Sequence, residues 1–277
     1  MNTQKIKVAV IDLYNNEVNE GMRCIREIVS AEDKRNNGPA VSYKVYETRY
    51  KSDIPSLDYD IYISSGGPGS PFEGEGTEWE SKYFNLLDEI WNHNQNNEQK
   101  KYIFFICHSF QMMARYFKFA EVTERAIKSF GVLPVNRTDD GANDIILKDL
   151  SNPFYSADFR QFQVVQPDKK VFEELGAKII ATEIAPEEEK HERAIMGVRI
   201  SNEIAGTQFH PEADPDSMIY HLKQQERKDH VVKLYGEQKY FEMIDLLEQP
   251  DKIKLTRKTV LPNFLRNAIE ELSVIKI

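Results

Sequence analysis

Residues Tyr102-Ile103-Phe104-Phe105-Ile106-Cys107-His108-Ser109-Phe110-Gln111 pass from five consecutive apolar side chains into a thiol, and the chain then continues as Met112-Met113-Ala114-Arg115-Tyr116-Phe117. A short apolar run followed by helical spacing predicts strand, sharp turn, helix, with Cys107 lifted out on the turn. Unpaired N–H groups at the start of that helix favour the thiolate, the reactive form of cysteine. Taken alone, a single thiol is more often a small core hydrophobe.

Two further segments bear on that choice. Ser64-Ser65-Gly66-Gly67-Pro68-Gly69-Ser70-Pro71 follows the apolar run Tyr59-Asp60-Ile61-Tyr62-Ile63, and Gly206-Thr207-Gln208-Phe209-His210-Pro211-Glu212 closes another apolar stretch. In open α/β sheets the ligand crevice lies outside the carboxyl ends of the strands, so three such ends can converge on one site. His210 and Glu212 are two apart, which in extended backbone puts both side chains on one face. Pro211 biases His210 towards that geometry. A thiol, an imidazole and a carboxylate result.

A strand, a Gly-Gly-Pro-Gly turn, then Ile-Cys-x-x-x-Gln, then Gln-Phe-His-Pro-Glu, in this order, resembles the class I (triad) glutamine amidotransferases over roughly residues 5–212. Within the family the chain looks most like a stand-alone GMP-synthase glutaminase with an altered nucleophile elbow. The resemblance implies an α/β fold in three layers, a flavodoxin-like, mostly parallel sheet with helices on both faces. It also implies a Cys107 nucleophile, a His210 general base oriented by Glu212, and an oxyanion hole from the backbone N–H groups of Gly67 and His108. Gln111 and Gly69 would meet the amide donor. The family usually has Gly-x-Cys-x-Gly-x-Gln, whereas Phe105 and Ser109 stand where the elbow glycines would be. Glycine accepts strained dihedrals and close packing there; Ser109 is small, while the Phe105 ring beside the strand end predicts a remodelled donor pocket. Phe159-Arg160-Gln161-Phe162 replaces a Ser-His-like pair that meets the bound amino acid in the family. Arg160 either grips a substrate carboxylate bidentately or pairs with an acid of the protein.

The 277 residues suit one α/β domain plus an appendage, here divided as residues 1–212 and a helical C-terminal extension at 213–277. A net charge of −9 argues against a nucleic-acid surface. Residues 6–12 read as a strand close to the N-terminus, and no long uncharged apolar span occurs, so neither a signal peptide nor a membrane span is expected and the location predicted is cytoplasmic. Cys24 falls in the apolar stripe of a first helix around 18–30 and is expected to be buried; with Cys107 the only other cysteine, no disulfide framework is expected. The acidic run around His191 lacks metal-site spacing, so no metal is predicted, and no motif calls for a cofactor.

Strand patterns at 6–12, 42–48, 59–64 and 101–106 alternate with helical ones, the signature of a parallel sheet with crossover helices. Thr77-Glu78-Trp79-Glu80 has capping-box form and marks a helix start. Short strands are expected at 131–136, 143–147, 161–166, 177–181, 194–200 and 204–209, as an antiparallel extension. Residues 213–258 hold nine acidic and nine basic side chains and show helical spacing. They precede a terminal helix with Leu261, Phe264, Leu265, Ala268, Ile269 and Leu272 on its apolar stripe. Such a segment, leaving directly after Glu212, must emerge beside the site and is expected to wall it or to form a docking face. The favoured reading is an enzyme that hydrolyses a glutamine-type amide through a Cys107 thioester and passes ammonia to a synthetase partner or another acceptor, or acts as a homodimer. An acyltransferase resembling the homoserine acyltransferases and a non-catalytic ligand-binding or regulatory module remain open.

Overall fold

The computed structural model describes residues 5–34, 39–184 and 193–274. The first half alternates strand and helix: β1 (Lys5–Ile11), α1 (Glu20–Asp33), β2 (Ala40–Tyr46), α2 (Thr48–Lys51), β3 (Ile61–Ser64), α3 (Glu78–Asn96), β4 (Tyr102–Ile106) and α4 (His108–Phe117). The second half brings β5 (Glu121–Arg137), α5 (Asp139–Asn143), β6 (Phe154–Val165), α6 (Lys169–Leu175), β7 (Lys178–Glu183), β8 (Ile195–Arg199) and β9 (Ile204–Thr207). Four helices follow: α7 (Pro215–Leu222), α8 (Gln225–Tyr235), α9 (Glu237–Glu248) and α10 (Ile253–Val274).

The strands form one nine-stranded sheet in the order β2-β1-β3-β4-β9-β8-β7-β5-β6. Strands β2, β1, β3, β4 and β9 are parallel neighbours. From β9 outward every pairing is antiparallel. Alternation along the strands makes the layers, because successive side chains leave a strand on opposite faces. Ile6, Val8, Val10, Ile61, Ile63, Phe104 and Ile106 share one core with α1 and α10. Ala9, Ile11, Tyr62, Ile103 and Phe105 enter a second core with α3 and α4. The expected α/β sheet with helices on both faces is what the chain adopts.

The helix starts follow local chemistry. The Thr77 side chain accepts the Glu80 N–H at 3.4 Å, while the Glu80 carboxylate turns to Arg115 at 2.5 Å, so the capping box closes on one side only. Cys24 is buried in α1, as its position in the apolar stripe predicts.

The antiparallel half departs from the expected strands. Residues 143–147 form the end of α5 and a turn, not a strand. Ile146 and Leu147 are fully buried there, and Arg199 pairs with Asp144 to hold the turn against β8. Strand β5 begins ten residues earlier than the expected 131, with a register irregularity between Glu124 and Ser129, and β6 begins at Phe154 rather than 161. Most of the early part of β5 is solvent-exposed or half-buried, so main-chain pairing with β6 supports it and no apolar pattern announces it.

The C-terminal helices divide between two cores. Val260, Phe264, Leu265, Ala268 and Leu272 of α10 belong to the same core as β1, β3 and β4, with Phe264 and Phe104 at 5.0 Å between ring centroids. Helices α7–α9 build a smaller core of their own around Leu222, Val231, Tyr240 and Met243, closed against Val132 and Ala157 of the β5–β6 hairpin.

Candidate active site

Sheet order decides which loops meet. Strands β3, β4 and β9 lie side by side and parallel, so the turns after Ser64, Ile106 and Thr207 open at one edge of the sheet. The Cys107 N–H donates to the Thr207 carbonyl at 2.8 Å, continuing the β4–β9 ladder to the elbow itself. Cys107 then takes φ 49° and ψ −99°, a left-handed setting that L residues enter at a cost of about 1–3 kcal/mol. Ser109 holds it there: its hydroxyl accepts the Ile106 N–H at 2.8 Å and lies 2.7 Å from the Ser64 carbonyl as donor, tying the elbow to the end of β3. The absent second elbow glycine is thus replaced by a side chain that bonds across two strands.

Phe105 does not crowd the site. Its ring is fully buried in the α3–α4 core, on the opposite face from the thiol. Gly206 on β9 leaves the space, since a Cβ there would stand 2.9 Å from the Phe105 Cβ and 3.0 Å from the Phe110 ring. The remodelling expected from Phe105 is absorbed by the core.

The remaining triad candidates arrive on the β9 loop. The His210 N–H donates to the Ala157 carbonyl of β6 at 2.9 Å, which fixes the backbone from the antiparallel side. His210 Nδ1 and Glu212 Oε1 are 2.8 Å apart, with Glu212 completely buried. The Cys107 sulfur is near enough for its charge to act on the imidazole. Burial works against the imidazolium, but the charges of Glu212 and of the sulfur prevail and hold His210 well above the ordinary histidine value. Arg257 at the start of α10 donates to the Glu212 carbonyl and pairs with Glu27 at 2.9 Å, clamping the loop between α1 and α10.

Cys107, Gly67, Gly69, His108 and Gln111 line one cavity of about 260 Å³. The His108 N–H is one of the first in α4, which have no intrahelical acceptor. Gly67 packs so closely that a Cβ would stand 2.5 Å from the Leu13 carbonyl oxygen. Arg49 anchors this turn through the Pro68 carbonyl at 2.6 Å and Glu73 at 2.5 Å. The His108 ring is buried, and burial, with Arg49 and Arg115 nearby, lowers its pKa to about 3, so it stays neutral. Gln111 is buried, its amide donating towards the Phe162 carbonyl at 3.2 Å and Gln208 Oε1 at 3.3 Å. Gln208 in turn points its amide at the Cys107 sulfur at 3.7 Å. Gln208 lies within the quoted His-Pro-Glu motif, but neighbouring motif residues drew the functional reading away from it.

Arg160 borders the same cavity but does not offer its guanidinium to it. The side chain is 0% exposed and pairs with Glu183 at 2.7 Å and Asp158 at 3.3 Å. This corrects the reading of Arg160 as a substrate clamp: strand alternation turns residue 160 inward, where an unpaired cation would be prohibitive and two carboxylates meet it. The cation on the cavity wall is instead Lys128, exposed at the β5 irregularity and in no ion pair among the described residues. Sequence reasoning missed it, as it missed Tyr14. A Cβ on Gly66 would stand 2.9 Å from the Tyr14 hydroxyl and 2.8 Å from the His210 ring, so both groups crowd one glycine. Burial, then the charges of Glu212 and Cys107, hold the Tyr14 phenol well above its ordinary value, leaving a protonated donor beside the triad candidates.

A family model described as glutamine amidotransferase class-I matches residues 26–226, a span that contains the β3 turn, Cys107, His210 and Glu212. The chain belongs to that family. Among solved structures it is similar to a glutamine amidotransferase from Thermotoga maritima, with 17% identity, 96% of this chain and 98% of that one covered, and a TM-score of 0.67. A putative GMP synthase subunit from Thermoplasma acidophilum shares 15% identity over 98% of this chain and 96% of that one, with a TM-score of 0.55. A CTPS glutaminase domain from Trypanosoma brucei with bound acivicin shares 14% over 75% and 86%, at a TM-score of 0.52. A search of curated proteins found no match. Among the described residues no helix is long and apolar enough to cross a membrane, and no group of three or more His, Cys, Asp or Glu is placed to hold a metal ion. Residues 187–192, with His191, lie outside the described residues.

Proposed function

We propose that this class-I amidotransferase cleaves a glutamine-type amide through a thioester on Cys107. The observation that carries the reading is the His210–Glu212 pair at 2.8 Å set within electrostatic reach of the Cys107 sulfur, all three delivered by the adjacent strands β4 and β9. The sulfur attacks the amide carbon and the C–N bond breaks. The imidazolium of His210 gives its proton to the departing nitrogen, and Glu212 holds the ring in register. N–H groups of Gly67 and His108 receive the developing oxyanion, a contribution worth about 3–4 kcal/mol per donor in comparable sites. Water activated by His210 then releases the acid. Lys128 on the cavity wall meets the carboxylate of the donor. Ammonia passes to an acceptor site or a synthetase partner, an arrangement suggested by relatives named as a CTPS glutaminase domain and a GMP synthase subunit.

The deciding experiment is intact-mass measurement after exposure to acivicin near neutral pH. One adduct is expected, mapping to Cys107 and absent from Cys107→Ala. Cys24 is expected to stay free, since burial raises its pKa. Labelling shared equally between the two cysteines, or an adduct that survives Cys107→Ala, would remove the nucleophile assignment.

A further inference from the structure

A second cavity, of about 500 Å³, adjoins the first. Its wall includes His210 and Glu212 but not Cys107, and the two cavities share only Phe130 and Phe159, whose rings meet edge to face at 5.2 Å. The Phe159 ring is 6.4 Å from that of His210 and remains partly exposed, so the partition between the cavities runs beside the imidazole. The start of α1 and the helices α7, α8 and α9 close the rest, with Met218, Leu222, Val231 and Met243 as the apolar lining. The volume falls within the range of about 300–1,000 Å³ typical of small-ligand sites, and such sites are mostly apolar with a few placed polar groups. Here the placed groups include the imidazole and the carboxylate of the triad candidates.

Position beside His210 defines what the cavity can serve. Once the thioester has formed, His210 has given its proton to the leaving nitrogen and stands neutral, ready to take one from the next nucleophile. A site that expels an amine-type nitrogen past this imidazole admits one along the same path, since forward and reverse steps share a transition state. We propose that the second cavity binds an acceptor, a primary amine carried on an apolar body, which takes the acyl group from Cys107. The amine nitrogen forms a bond to the thioester carbon, the C–S bond breaks, and the amine proton passes through His210 to the sulfur. The products are a substituted amide and the free thiol, with no further reactant required. This inference rests on the Cys107 thioester reading and adds to it an acyl acceptor that competes with water for the thioester, distinct from the acceptor of ammonia, and the place where it sits.

Two measurements separate the inference from its premise. Calorimetric titration of the Cys107→Ala protein with 4-phenylbutylamine tests the cavity without any thioester: saturable binding is expected, weakened at least tenfold by Met218→Trp, which fills the cavity. Wild-type protein given L-glutamine and the same amine is then assayed by mass spectrometry for glutamate and N-(γ-glutamyl)-4-phenylbutylamine. The ratio of amide to glutamate is expected to saturate with amine and to drop at least tenfold in Met218→Trp. Circular dichroism checks that variant, and Val231→Phe replaces it should it unfold. Absence of saturable binding, glutamate as sole product, or an amide yield that rises linearly and equally in both proteins would overturn the inference while leaving the thioester in place. Neither product forming, with no acivicin adduct on Cys107, would overturn both.

Discussion

Strands β3, β4 and β9 each end in a short turn that delivers one piece of the candidate site, whereas β5 and β6 deliver none of the triad candidates and much of the pocket wall. The first group is parallel and buried: Cys107 is held by the Thr207 carbonyl and by Ser109, His210 by the Ala157 carbonyl. The second is an antiparallel hairpin with a register irregularity, from which Lys128, Phe130, Phe159 and Phe162 reach the cavity. The nucleophile and imidazole candidates thus stand on the buried parallel part of the sheet, and much of the pocket wall on the more exposed antiparallel hairpin. If this division holds, changes in the turns should strike turnover, and changes in the hairpin should strike stability or substrate affinity.

The largest effect is expected from His210→Asn. Asparagine keeps a hydrogen-bonding side chain beside Glu212 but relays no proton, so kcat should fall by 10³ or more, roughly 4 kcal/mol of transition-state stabilisation. Steady-state ammonia release measures it. A variant that keeps more than a tenth of wild-type turnover would dissolve the contrast between turn and wall, because His210 would then be a positioning group like its hairpin neighbours.

Next in size is Arg160→Ala, which tests the hairpin as structure. Removing the guanidinium leaves Asp158 and Glu183 without their shared cation, and breaking one side of a buried ion pair costs about 3–5 kcal/mol. Burial raises Glu183, yet Arg160 and then Arg125 outweigh it and hold the carboxyl below its ordinary 4.5. A depressed carboxyl contributes stability above its unfolded pKa and loses it as pH falls. The gap between wild type and variant should therefore be widest at neutral pH and narrow below about pH 4.5. Urea unfolding at pH 7 and pH 4 reads both numbers. A stable variant with a raised KM for glutamine would return Arg160 to the substrate.

What the sequence made legible follows the same division. Buried parallel strands show as unbroken apolar runs, and turns that must bring backbone close show as Gly66-Gly67 or as the thiol between Ile106 and His108; both signals are local. The hairpin is specified by pairing between residues some thirty positions apart, such as Ser129 with Arg160, and its exposed start has no periodic signal to read. That is why 143–147 resembled a strand, Arg160 a substrate clamp and Phe105 an obstruction. Each was judged by its neighbours in sequence, while Arg199, Glu183 and Gly206, which determine the outcomes, come from elsewhere in the chain. Tyr14 is hidden for the same reason: only the packing of the β1 loop against Gly66 brings its hydroxyl beside His210.

Lys128 offers the smallest and sharpest contrast. It lies on the β5 irregularity, where the strand leaves its register with β6 and turns an exposed side chain to the cavity that holds Cys107. A carboxylate-bearing donor has its charge in the ground state and in the transition state alike, so a lysine that meets it supplies uniform binding. Lys128→Met should then raise KM for glutamine roughly tenfold, about 1.4 kcal/mol, with kcat little changed. Lys128→Arg should restore most of the affinity, because the charge is kept. Exposure also makes the interaction screenable: the wild-type KM should climb between low and high salt, and that climb should be missing in Lys128→Met. A fall in kcat matching the fall in kcat/KM would place Lys128 among the groups that act on the transition state, and the separation of turn from wall would fail at the wall.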